Sequence, residues 1–299
     1  MSISFQNLGS SSGGNATLLL CRHDQGVHRF LLDAGLGPRT VARRLRECGH
    51  NEGRLDGIIL THADSDHMRA TWRATLERQR VPVHVWAPHQ EEACRKGVPR
   101  SLIRAHQGTF EPGDGVRVLC HRTPHDDTGS CALRIECGEV ALGWATDLGR
   151  ADDGLVDHLA GVDALGIESN YDPELQSGSH RPEMLIRRIT GGRGHLSNQE
   201  CLDAVRRITG ATLGSRPLDV VCLLHLSREC NRPGIIENLW SRMGGDLVET
   251  LEMDGMSLVL LMEQLIILLS ENPLSVLGTQ TGSLLLVLAL ITLNGLSKM

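Results

Sequence analysis

The chain has 299 residues, of which 40% are hydrophobic and 22% are charged, and its formal net charge is −6. This composition is ordinary for a soluble globular protein and argues against nucleic-acid binding through a high overall positive charge, although it allows a local basic patch. The nine cysteines form no CxxC pair, and residues 1–15 lack the basic and apolar segments of a signal peptide. We therefore expect reduced thiols and a cytoplasmic protein.

Apolar runs of strand length alternate with amphipathic segments along most of the chain. In order, the sequence predicts strands over 16–22 and 28–35, a helix over 40–49, a strand over 55–62, a helix over 66–80, a strand over 82–88, helical segments over 89–96 and 100–105, and strands over 115–121, 131–137 and 139–146. Two further apolar runs, 164–170 and 219–227, enclose helical segments at 181–190 and 198–209. This order predicts an α/β protein whose helices pack outside stacked sheets.

The composition changes at Met256, where the chain becomes strongly apolar. The run at 282–296 is shorter than the roughly 20 residues that a membrane-spanning helix needs. A core helix, or a strand followed by an amphipathic helix, explains such a run better than a membrane anchor, which stays open as an alternative. Residues 263–299 are therefore interpreted as a separate apolar tail of unclear structure.

A dense group of acidic and imidazole side chains follows the strand predicted at 55–62. The stretch GIILTHADSDHMRA at 57–70 places His62, Asp64, Asp66 and His67 within six positions. Desolvating carboxylates this close together is costly unless positive charge neutralises them. An extended backbone points His62 and Asp64 to one side, and the opening of a helix turns Asp66 and His67 to a neighbouring point. The spacing predicts two metal ions, whose other ligands end later strands: His125, Asp147 and His225.

Several motifs together carry a family resemblance. The segment THADSDH, with LLDAG before it and TPHD, ATDLG and LLHLS after it, resembles the motif series of the metallo-β-lactamase superfamily. The resemblance implies an αββα four-layer sandwich over residues 1–262. The segments at 9–19, 167–178, 194–198 and 225–231 resemble a narrower branch, the YycJ/WalJ-like proteins, which is related to cyclic phosphodiesterases and ribonuclease Z.

The resemblance also implies a role for each site residue. His62, Asp64 and His125 would hold one divalent ion, Asp66, His67 and His225 the second, and Asp147 would bridge them. Asp33 would support the ligands from outside. Glu168 and His195 match a pair that passes a proton to the leaving group, and a hydroxide bridging the ions would be the nucleophile.

Asp64 departs from the family motif, which usually has histidine at this position. The substitution lowers the formal charge of the site by one unit. We expect a more oxygen-rich first site that shifts metal preference from zinc toward manganese or iron, and a less acidic bridging water.

The expected activity is hydrolysis of a phosphodiester, in a nucleic acid or a cyclic compound. Ser197, Asn198, Ser227 and Arg193 are the predicted substrate contacts, and other arginines at 181, 187, 188, 206 and 207 suit a phosphate-bearing substrate such as a single strand, or equally a solvated helix face. Two alternatives stay open: a thioester or lactone hydrolase with the same two ions, and a non-catalytic metal-binding regulator. No obligate protein partner is evident from the sequence.

Overall fold

Two sheets make up the centre of the molecule in a computed structural model that describes residues 1–50, 53–211, 218–241, 247–253 and 256–261. The first sheet has the order β1-β2-β3-β4-β5-β6. Its strands are β1 (Ser2–Gly9), β2 (Ala16–His23), β3 (Gly26–Leu32), β4 (Gly57–Ile59), β5 (Val83–Trp86) and β6 (Ile103–His106). The pairs from β3 to β6 are parallel, so the carboxyl ends of β3 and β4 lie at one edge.

The second sheet has the order β13-β14-β12-β11-β10-β9-β8-β7. Its strands are β7 (Thr109–Gly113), β8 (Val116–Thr123), β9 (Ser130–Cys137), β10 (Val140–Ala145), β11 (Ala164–Glu168), β12 (Val220–Leu224), β13 (Leu247–Met253) and β14 (Met256–Leu261). Here β10, β11 and β12 are parallel and central. Their carboxyl ends, like those of β3 and β4, are followed by the polar segments of the predicted site.

The helices are α1 (Pro38–Glu47), α2 (Arg73–Gln79), α3 (Gln90–Arg95), α4 (Asp153–Leu159), α5 (Pro173–Ser177), α6 (Glu183–Thr190), α7 (Asn198–Ala211) and α8 (Pro233–Ser241). Three buried clusters define four layers. One lies between the sheets and contains Phe5, Phe30 and Trp144. A second joins α1–α3 to the first sheet, and a third joins α4, α7 and α8 to the second sheet. The order helix, sheet, sheet, helix is the predicted αββα sandwich.

Two predicted elements differ from the structure. Residues 66–69 do not begin a helix, because Met68 forms a β-bridge with Ala34; a short 3-10 turn at Ala70–Trp72 leads into α2 instead. Within the predicted helix 100–105, a 3-10 turn at Arg100–Leu102 is followed by β6, which pairs with β5. Both differences come from pairing with distant strands, which overrides local helical pattern.

The C-terminal tail at 263–299 lies outside the described residues, so its interpretation is untested. Within the described part of the chain, none of the helices combines the length and the apolar composition required for a membrane span.

Candidate active site

The predicted site residues converge because they follow strands that end at the same edge. Asp33 follows β3, the segment 61–67 follows β4, and His125 follows β8. Asp147 and His225 follow β10 and β12. Carboxyl ends of parallel strands are a common location for ligand sites in α/β proteins, and here two stacked sheets contribute to one site.

Three of these residues adopt the left-handed backbone region. The φ angles are 59° for Asp33, 56° for Asp147 and 57° for His225. Such conformations cost about 1–3 kcal/mol at a non-glycine residue and persist where the surroundings impose them. Each one turns the chain just after a strand.

Two groups of ligand-type atoms form at this edge. In each group the atoms lie within 4.8 Å of one another: His62, Asp64 and His125 form the first, and Asp66, His67 and His225 form the second. Asp147 reaches both, since its Oδ2 is 2.8 Å from His67 Nε2 and its Oδ1 is 3.7 Å from His125 Nε2. The structure thus brings together the same two triads and the shared carboxylate that the sequence predicted as ligands.

The protein fixes the orientation of all four imidazoles through Nδ1. The hydrogen-bond partners of Nδ1 are Thr61 Oγ1 for His62 at 3.1 Å, Asp33 Oδ2 for His67 at 2.8 Å, Gly194 O for His125 at 2.9 Å and Glu168 Oε1 for His225 at 2.9 Å. With Nδ1–H donated in this way, Nε2 is the nitrogen that each ring turns toward the common centre. This is the tautomer that a metal-binding histidine needs.

The electrostatics of the cluster indicate a surplus of negative charge. Burial opposes protonation of His67 and His225, yet nearby carboxylates, Asp147 foremost, raise the pKa of His67 well above its usual range and that of His225 to about 10. Burial would raise the pKa of Asp147, but His225 and His67 hold it well below its ordinary value. In contrast, burial and the neighbouring His67 lower the pKa of His62. A site that draws protons onto buried imidazoles is suited to hold cations.

The donor set therefore fits divalent metal ions. His225 Nε2 is buried and has no hydrogen-bond partner among the described residues; Asp66 Oδ2, at 3.8 Å, is too distant for a hydrogen bond. His67 Nε2 faces Asp147 Oδ2 at 2.8 Å and Asn15 Nδ2 at 3.0 Å after its Nδ1–H is given to Asp33. Two acceptors in such contact need a proton or a cation between them. Four imidazoles with three carboxylates suit zinc, manganese or iron.

Glu168 lies at the end of β11 and is fully buried. Its Oε1 is 2.7 Å from His195 Nδ1 and also accepts from His225 Nδ1, while its Oε2 accepts the backbone N–H of Leu148 at 2.7 Å. Burial opposes protonation of His195, but the carboxylates of Glu168 and Asp147 raise its pKa. Because Nδ1 is held by Glu168, the Nε2 of His195 is the nitrogen available to a ligand.

An open cavity of about 480 Å³ lies over the cluster. Besides the ligand-type residues and His195, its walls include Ser12, Arg181, Leu185, Arg188, Ser227 and Glu229. Ser227, a predicted substrate contact, is therefore placed where a ligand can reach it.

The other three predicted substrate contacts lie elsewhere. Asn198 is 1% exposed, and its side chain bonds with Ser169 and Asn231. The Ser197 hydroxyl donates to Glu200 Oε2 at 2.7 Å, as at a helix start. Arg193 borders a neighbouring depression, where its guanidinium binds the carbonyl of Asp126. Their hydrogen bonds hold loops together in this structure, and contact of these three residues with substrate stays a prediction.

Sequence reasoning missed the residues that support the ligands from the loop between β1 and β2. Asn15 Nδ2 donates to the carbonyls of Ser11 and Asp66, and the backbone N–H of Asn15 donates to Asp66 O at 2.7 Å. Ser10 Oγ accepts the backbone N–H of His225 at 2.8 Å. The Ser/Gly-rich segment GSSSGGN was a visible signal, but nothing in the sequence showed which strand ends it would contact.

The two stacked sheets with outer helices, and the acidic and imidazole cluster at their common edge, are those of the metallo-β-lactamase fold. A solved structure of the metallo-β-lactamase fold protein YhfI from Bacillus subtilis superimposes with a TM-score of 0.57 at 15% identity, covering 80% of this chain and 91% of that one. The sequence-family model of the β-lactamase superfamily domain matches residues 28–214 of this chain. The chain therefore belongs to this family.

Two curated relatives are more similar to this chain in sequence than the YhfI structure is. The chain is 28% identical to the exodeoxyribonuclease WalJ of Streptococcus pneumoniae over 231 residues, which is 75% of this chain and 81% of the relative. It is 25% identical to the exodeoxyribonuclease YycJ of Bacillus anthracis over 205 residues, or 67% of this chain and 75% of the relative.

Proposed function

We propose that this protein is a metal-dependent phosphodiesterase that hydrolyses nucleic acid. The observation that carries the proposal is the pair of ligand triads joined by Asp147 beneath an open cavity, beside a buried glutamate–histidine pair. The names of the two exodeoxyribonuclease relatives support nucleic acid over a thioester or lactone.

His62, Asp64 and His125 would hold one divalent ion, Asp66, His67 and His225 the other, with Asp147 shared between them. Bound there, the ions would supply the positive charge that ionises an attacking water and stabilises the charge developing on the phosphate. Asp64 adds an oxygen ligand to the two imidazole nitrogens of the first triad. Its side chain is 51% exposed at the cavity. Because oxygen ligands favour harder ions, manganese or iron is proposed ahead of zinc for that triad.

His195 would act as the general acid. Glu168 Oε1 accepts its Nδ1–H at 2.7 Å and fixes the plane of the ring. Burial opposes protonation of His195, but Glu168 raises its pKa, which favours a proton on Nε2. The proton on Nε2 would pass to the oxygen of the leaving group as the phosphorus–oxygen bond breaks. Glu168 also holds His225 in place, which couples the acid to the metal ligands.

The test is an assay of metal-reconstituted protein on bis-p-nitrophenyl phosphate, a short DNA strand, a short RNA strand, and a lactone and thioester panel. We expect turnover of the phosphodiesters and a loss of about 10²–10⁴-fold in His195→Ala, with the metal content unchanged. His158→Ala is the control, because that histidine is half-buried against the second sheet and does not line the cavity. Turnover of only the lactone or thioester would refute the proposal, as would metal binding without turnover of any substrate.

A further inference from the structure

Two arginines line the cavity, and the protein binds their side chains in different ways. Arg188 is held by Asp126, whose Oδ1 accepts from Nε at 3.0 Å and whose Oδ2 accepts from Nη2. Asp126 follows the ligand-type residue His125 and has a φ of 40°. Arg188 is therefore paired with the carboxylate that follows a metal ligand, and its role is to hold that loop.

Arg181 is fixed by three side chains but keeps part of its donor capacity. Nε donates to Glu229 Oε2 at 2.9 Å, Nη1 to Gln176 Oε1 at 3.2 Å and Nη2 to Ser227 Oγ at 3.3 Å. A guanidinium has five N–H donors, so these contacts leave one on Nη1 and one on Nη2. Gln176 is 1% exposed, which makes it a rigid anchor. The result is a pre-organised cation on the cavity wall.

Ser227 has a donor to offer at the same place. Its hydroxyl oxygen accepts from Arg181 Nη2 and, at 3.1 Å, from the backbone N–H of Cys230. Both acceptor positions are then in use, and the hydroxyl hydrogen remains for a ligand in the cavity. Ser227 is also only two residues from His225, so the Cα atoms of the two residues are at most about 7 Å apart, and both residues line the same cavity.

We propose that Arg181 and Ser227 form a subsite for a second phosphate of the substrate, adjacent to the phosphate that is hydrolysed. This inference rests on the proposed phosphodiesterase function and narrows it. Two N–H donors of one guanidinium and a hydroxyl match the oxygens of a phosphate, which carries a full charge. A nucleotide strand has a phosphate on each side of a nucleoside, whereas a simple cyclic phosphodiester has one phosphate. The subsite thus selects strands, or nucleotides with two separate phosphates.

Glu229 distinguishes this binding role from a structural one. Its carboxylate is 54% exposed and occupies one edge of the Arg181 guanidinium, where it repels an approaching phosphate. If Arg181 serves to bind phosphate, Glu229→Gln removes the repulsion and strengthens binding. If Arg181 serves only to tie the chain together, both Arg181→Gln and Glu229→Gln weaken the fold and neither alters the preference between ligands.

The experiment compares binding of thymidine 3′,5′-bisphosphate and thymidine 5′-monophosphate to the metal-loaded protein by titration calorimetry. We expect the bisphosphate to bind at least about tenfold more tightly, which is the size of one charge-assisted hydrogen bond. Arg181→Gln should reduce this ratio to less than about threefold, Arg181→Lys should give an intermediate ratio, and Glu229→Gln should increase it. Arg187→Gln is the matched control, because Arg187 lies on α6, close to Arg181 in the chain, is 76% exposed and pairs with Glu183.

An unchanged ratio in a folded Arg181→Gln protein would overturn the inference, as would a lower ratio in Glu229→Gln. If Arg181→Gln does not fold, the Arg181→Lys and Glu229→Gln ratios decide. The calorimetric ratio does not depend on turnover. A protein that hydrolyses no phosphodiester but keeps the Arg181-dependent ratio would refute the proposed function and retain the subsite. A protein that hydrolyses phosphodiesters but shows no Arg181-dependent ratio would refute the subsite and retain the proposed function.

Discussion

At the scale of single residues, the site depends on carboxylates that bind imidazoles rather than ions. Asp33 Oδ1 accepts the backbone N–H of Thr61 at 2.9 Å, and its Oδ2 accepts from His67 Nδ1 at 2.8 Å. Glu168 has the same relation to His225 and His195. Each carboxylate holds the Nδ1–H of its histidine, so Nε2 is the nitrogen that each ring turns toward the site.

We predict that Asp33→Asn weakens metal affinity by about 10–100-fold, because an amide cannot accept from Thr61 and also enforce the tautomer of His67. Asparagine tolerates the left-handed backbone of Asp33, whose φ is 59°, so the fold should be retained. Competition with a chromophoric chelator measures the affinity. Asp56→Asn is the control, since Asp56 also accepts a backbone N–H, that of Arg29, but precedes β4 at the opposite end of the sheet. Equal affinity in the two variants would contradict the prediction.

At the scale of elements, the central strand β11 contains a glycine for reasons of packing. Gly166 pairs with Trp144 of β10 and Cys222 of β12. A Cβ on Gly166 would lie 2.5 Å from Trp144 Cε3 and 3.0 Å from Leu224 Cδ1. The ring of Trp144 in turn meets Phe5 edge-on at 5.4 Å between the sheets. The absent side chain makes room for the tryptophan that joins the two sheets.

Gly166→Ala should therefore destabilise the protein by about 1–3 kcal/mol through overpacking. Gly210→Ala is the matched comparison. Gly210 lies in α7, and among the described residues nothing beyond the helix's own backbone lies within 4 Å of its missing Cβ. This variant should be more stable by roughly 0.5 kcal/mol, because alanine lowers the backbone entropy of the unfolded chain. Urea unfolding of the three proteins measures both changes. Stabilisation by Gly166→Ala would show that Trp144 can move without loss.

The sequence predicted most strands, because apolar β-branched runs such as Ile58–Ile59 and Val220–Val221 mark a buried sheet. It also predicted which residues converge, since the spacing of His62, Asp66 and His67 is specific. It could not predict the turn at 66–69, where pairing between Ala34 and Met68 delays the helix. Nor could it show the contacts among Arg181, Gln176 and Ser227, which join separate elements and leave no periodic pattern.

At the scale of the whole molecule, the two sheets also meet at their outer strands. His84 of β5 and His106 of β6 both stack on Phe110 of β7, with ring centroids 5.0 Å and 4.2 Å apart. This stack joins the first sheet to the second. Burial, with the nearby His106 and Arg104, lowers the pKa of His84 to about 4, and burial lowers that of His106 to about 4.

The stack makes stability depend on pH with a definite sign. In the unfolded chain a histidine has a pKa of about 6.5, so between pH 6.5 and 4 the unfolded state binds more protons than the folded one. The free energy of unfolding should therefore fall as pH is lowered through this window, by on the order of 1–2 kcal/mol for each histidine at pH 5.

His84→Leu removes one such group. The free energy of unfolding of this variant should fall less between pH 7.5 and pH 5 than that of the unaltered protein. Urea unfolding at both pH values and at equal metal loading measures the difference, with His180→Leu as the control because that side chain is exposed. If the free energy of unfolding falls by the same amount between pH 7.5 and pH 5 in all three proteins, protonation of the His84–Phe110–His106 stack does not determine acid stability.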